Sequence, residues 1–208
     1  MDDQASRRKN SNSVVKPKHT DFQTGFIQGA LWIALLAGFG IGAHMAYILG
    51  NQMPLHTGFV GYIQLHGHVQ LVGWAGLFVM GVSLHFLPRL ASVPLSNPRL
   101  PKIILRFMLP ALVSRAVFHS ILPYLAESAF FIPCAWLVAF SGLLEFIGVL
   151  LYILTLVKTL RRASEKAKNA LRPVKPFLGM VLVGWVAFEI ISLALAIEMA
   201  WNGAETYL

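Results

Sequence analysis

The 208-residue chain is 56% hydrophobic and 12% charged, whereas soluble domains are about 25% charged. This balance excludes a soluble globular protein and defines an integral protein of the lipid bilayer. The net charge of +8 does not point to nucleic acid, because the basic residues alternate with apolar spans and do not gather on one face. The single cysteine, Cys134, excludes an intrachain disulfide framework and any multi-cysteine zinc or iron-sulfur centre. A bound metal would therefore draw most of its ligands from histidine.

Residues 1–20 are polar and basic and read as a disordered cytoplasmic tail. The remainder, 21–208, reads as a single transmembrane helical domain. The first span is expected from Thr24 to Leu49, with Gly25 and Gly29, then Gly38 and Gly42, at the spacing that lets helices approach closely. The second runs from Phe59 to Leu87, and a proline cluster at Pro94, Pro98 and Pro101 leads to the third, Pro101 to Leu122, which Pro110 should kink. Ala129 to Val157 and Pro176 to Met199 complete an all-α, polytopic bundle of about five transmembrane helices.

Lysine and arginine orient the bundle. Five precede the first span, Arg89, Arg99 and Lys102 flank the second connection, and seven lie between Lys158 and Lys175. The alternate segments 50–58, 123–128 and 202–208 contain none. The positive-inside rule then places the N-terminus in the cytoplasm and the C-terminus outside. In that orientation His44, His56, His66, His68 and His119 all lie toward the outer face, whereas His85 is near the inner end of the second span. Imidazoles at such depths are costly in lipid and mark a cofactor, a metal or an interhelical bond.

The stretch Tyr62 to Leu90, YIQLHGHVQLVGWAGLFVMGVSLHFLPRL, concentrates these features. His66 and His68 are two residues apart, so at ~100° per residue they point ~200° away from each other and do not hold the same ion. One is expected to face a cofactor and the other to meet a neighbouring helix. His68, deeper and leading into the Gly73 and Gly76 face, is the preferred ligand. Its other ring nitrogen needs an acceptor, for which Gln64 and Gln70 are at hand.

This stretch resembles the second transmembrane helix of haem-copper oxidase subunit I, especially its short subunit I-like and NnrS-like members, in which an H-x-H run leads into L-x-G-W and ends in L-P. The resemblance implies a b-type haem held by His68 or His66, with His44 or His119 as the second axial ligand in this chain. In the family that ligand and the copper-ligand histidines lie on helices after the fifth, so a self-contained oxidase is not expected. The resemblance implies instead an electron-transfer or gas-binding protein of a bacterial inner membrane; the sparse histidines of five helices and the close-approach glycines of the first two predict that it works as a homo-oligomer or with another haem-carrying membrane subunit.

Two other readings come from the residues themselves. Imidazole suits copper as well as iron, and His44, His56 and one of His66 and His68 would form an outward-facing copper site. Alternatively the histidines only bond between helices in a structural subunit. Deeper in the membrane, Arg115, Glu145 and Glu189 lie ~21, ~18 and ~20 Å from the cytoplasmic ends of their helices, at ~1.5 Å per residue. This layer reads as a proton or quinol site, as an arginine that neutralises a haem propionate, or as a buried Arg-Glu pair that fixes helix packing; Arg115 is expected to pair with Glu145, Glu189 or a haem propionate, and it shares a helix face with His119.

Overall fold

A computed structural model describes residues 23–55 and 58–203. The basic tail over 1–20 and His56 lie outside the described residues. Among those described there are helices and no strand. Five helices are long and apolar enough to cross a membrane: α1 (Thr24–Gly50), α2 (Phe59–Leu90), α3 (Leu100–Leu125), α4 (Phe131–Arg161) and α6 (Lys175–Asn202). The all-α membrane bundle expected from the sequence is therefore the fold. A short helix not anticipated, α5 (Glu165–Leu171), sits in the basic connection, and the Ser164 hydroxyl caps it by accepting from the Ala167 amide. α3 runs on through Pro110 as one helix, ending in a 3₁₀ turn at Leu122–Leu125.

Small residues set how the helices meet, as they must where lipid and side chain are equally apolar. A Cβ on Gly25 or Gly29 would stand 2.9 or 2.7 Å from the side chain of Leu105 or Leu109, so this face of α1 lies against α3. Gly38 and Gly42 instead accept Gln70 and His66 of α2, and Gly81 of α2 accepts Phe26. The two helices thus run antiparallel in register. Both widen into π winding where they meet, at Ala34–Phe39 and Val69–Gly76. Such insertions are rare and recur at functional sites.

Two large apolar cores result, besides a small cluster of Ala91, Ala163 and Ala167. One, toward the inner side in the expected orientation, joins Phe26, Met80, Leu84, Met108 and Leu156. The other, at the opposite end, joins Leu122, Phe131, Val138 and Met199. Between them the chain places its buried ionisable side chains. α6 is the least embedded span, and only Glu189, Ala196, Met199 and Ala200 among its residues are buried. Its outward side chains, such as Met180 and Val183, are exposed as lipid contact requires.

A candidate intramembrane site

His68, Arg115, Glu145 and Glu189 are only 6, 4, 0 and 1% exposed. Glu145 is the hub. Its Oε2 meets His68 Nε2 at 2.6 Å, and its Oε1 faces Arg115 Nε at 3.4 Å, an ion pair without a closed hydrogen bond. Arg115 Nη1 donates to the Ser192 hydroxyl at 3.0 Å. Its Nη2 lies where a side chain on residue 142 would be, and a Cβ on Gly142 would stand 2.7 Å from it. Charge and hydrogen bonding together make this arrangement tolerable, because an unpaired guanidinium or carboxylate buried in an apolar medium is costly.

The third midplane group, Glu189, is turned into the bundle, and neither of its oxygens makes a hydrogen bond of normal geometry. The ring of His68 stacks on Phe188, with centroids 5.8 Å apart and planes at 27°. His119, one turn beyond Arg115, is buried on the same side. His68, Arg115 and His119 form the floor of a cleft of about 450 Å³ between α2 and α6, with Ser192 and Gln64 also on its wall.

The two histidines of α2 part as their spacing requires. His66 turns to α1, where its Nδ1 lies 2.9 Å from the Gly38 carbonyl oxygen. His68 turns to α4. The acceptors are not the expected glutamines: Gln64 lines the cleft and Gln70 packs against Gly38. His44 joins neither cluster and sets its ring edgewise on Tyr62 at 5.5 Å, beside a hydrogen bond of 3.0 Å between Tyr62 and Tyr124. Near the inner end, His85 is bonded to Arg89. Among the described residues no three His, Cys, Asp or Glu side chains are gathered around one point where a metal ion would sit.

The pairing of Arg115 with Glu145 follows the expected depths. That of His68 with Glu145 was not foreseen, because residue counting gives a rough height on each helix and leaves open the rotation that turns His68 toward α4. Gly142 and Ser192 were also passed over. Each lies three residues from a buried carboxylate, Glu145 or Glu189, and so shares its helix face.

Comparison with protein-family models, with curated proteins and with solved structures returns no match.

Proposed function

We propose that this chain is a haem-b-binding membrane subunit serving electron transfer or gas binding, of the kind its second span resembles. The observation that supports it is the anchoring of His66. A histidine that ligates metal gives its second ring nitrogen to an acceptor, which sets the tautomer and the ring orientation. The Gly38 carbonyl at Nδ1 plays that part and leaves Nε2 of His66 to ligate. His68 is the poorer donor, since its Nε2 is engaged by Glu145 inside a buried ion network. On this reading the ligand is His66, the other member of the pair expected from sequence.

The donor chemistry of His66 fits a haem gripped from one side. Haem, when bound, supplies one-electron exchange or the binding of a diatomic gas. Its opposite face falls to a second copy of the chain or to another haem-carrying subunit, in keeping with the apolar surface that α2 leaves uncovered at Trp74 and Phe78. The same resemblance assigns the protein to a bacterial inner membrane. Reduced-minus-oxidised spectra, with haem quantified per chain and particle mass measured in mild detergent, test the proposal. A sharp reduced alpha band in an oligomer is expected from the wild type and from His68→Gln, and its loss from His66→Gln. A colourless wild type, or His66→Gln with full haem, overturns it.

A further inference from the structure

The cleft between α2 and α6 is not needed for a haem on His66, and its construction is that of a separate ligand site. Its volume of about 450 Å³ lies in the ~300–1,000 Å³ range of small-molecule sites, which are mostly apolar with a few convergent polar groups. Here those groups are His68, Arg115 and His119, each more than nine-tenths buried, together with the Ser192 hydroxyl. Ser192 Oγ already accepts from Arg115, so its own proton remains to be donated. With His68 Nε2 engaged by Glu145, the donors that face a ligand come from Arg115 and Ser192, and they suit one that brings acceptor oxygens.

The walls say how such a ligand arrives. Leu71 on α2 and Ile191 and Leu195 on α6 border the cleft and are each more than half exposed. They lie on the outward faces of two spans, so the mouth opens sideways on the acyl chains and not on water. Phe188, stacked on His68, adds a flat aromatic wall. A flat ring carrying carbonyl oxygens, soluble in the bilayer through an apolar tail, matches floor, wall and mouth together. We propose that this cleft binds a lipid-soluble quinone, with its ring against Phe188 and a carbonyl oxygen directed to the Arg115, His119 and Ser192 floor.

A phospholipid or fatty acid would also find the mouth, but needs no flat wall. The two are separated by photolabelling the purified chain in proteoliposomes with an azido-quinone and mapping the labelled peptides. Labelling confined to α2 and α6, displaced by excess decylubiquinone and not by oleate, is the expected result. Ile191→Trp fills the mouth from the lipid side, away from both apolar cores, and should abolish labelling at an unchanged melting temperature. Label spread over all lipid-facing spans, displacement by oleate, or full labelling of Ile191→Trp overturns the proposal. The outcome is independent of haem content, so it stands or falls apart from the reading of His66.

Discussion

Replacing Glu145 with glutamine removes one negative charge and almost no volume, and the structure sets the consequence. Glu145 is fully buried and is the counter-charge of Arg115, which is itself 4% exposed. After the substitution the guanidinium keeps the Ser192 hydroxyl but loses its ion pair, while His68 exchanges a carboxylate for an amide. Stranding one member of a buried pair costs ~3–5 kcal/mol. At about 2–4 °C per kcal/mol for a chain of this size, that amounts to a fall of roughly 6–20 °C in melting temperature. Thermal unfolding in detergent measures it, and a cycle of Glu145→Leu, Arg115→Leu and their double variant isolates the pair. The doubly apolar variant Glu145→Leu/Arg115→Leu should recover much of the loss, because a buried pair replaced by apolar groups is often neutral. A wild-type melting temperature for Glu145→Gln, or effects that add within ~0.5 kcal/mol, would mean that Arg115 is held by something other than Glu145 and that the hub assigned to this carboxylate is wrong.

Gly142→Ala places a methyl group 2.7 Å from Arg115 Nη2 and should lower stability by about 1–3 kcal/mol through overpacking. Gly179→Ala, with nothing within 4 Å of the added carbon, should not destabilise in the same unfolding experiment and should gain up to about 1 kcal/mol from the better helix propensity of alanine. Reporter fusions at Lys166 and after Leu208 should fall on opposite sides of the membrane, with Lys166 in the cytoplasm. Both on one side would remove the orientation inferred from the Lys/Arg distribution.

Glu189 shows how the bundle handles a costly group. α6 carries two carboxylates; Glu198, near its outer end, is exposed, whereas Glu189 turns inward, beside the Glu145–Arg115 pair. The hydrocarbon outside penalises an ionisable side chain more than a polar layer inside the bundle does. The rotation of α6 about its axis is therefore set as much by Glu189 as by Ala196 and Ala200, the small residues with which it packs onto the outer core.

The amino-acid sequence alone determined the class and the spans, because apolar length and the absence of charge act one helix at a time. It also carried depth, by counting residues along each helix, and so brought Arg115, Glu145 and Glu189 to one layer. The angular separation of His66 and His68 was equally legible, being a property of a single helix. Which partner each met was not. That depends on the rotation of every helix about its own axis, fixed by contacts such as Gly42 with His66, Gly73 with Ile33 and Gly142 with Arg115. Only the packed bundle decided that Glu145, and not a glutamine of α2, holds His68, and that a backbone carbonyl of α1 holds His66. The physical reason is that sequence spacing sets a residue's height and relative bearing on its own helix, whereas a hydrogen bond or ion pair between helices requires their bearings to be fixed against one another.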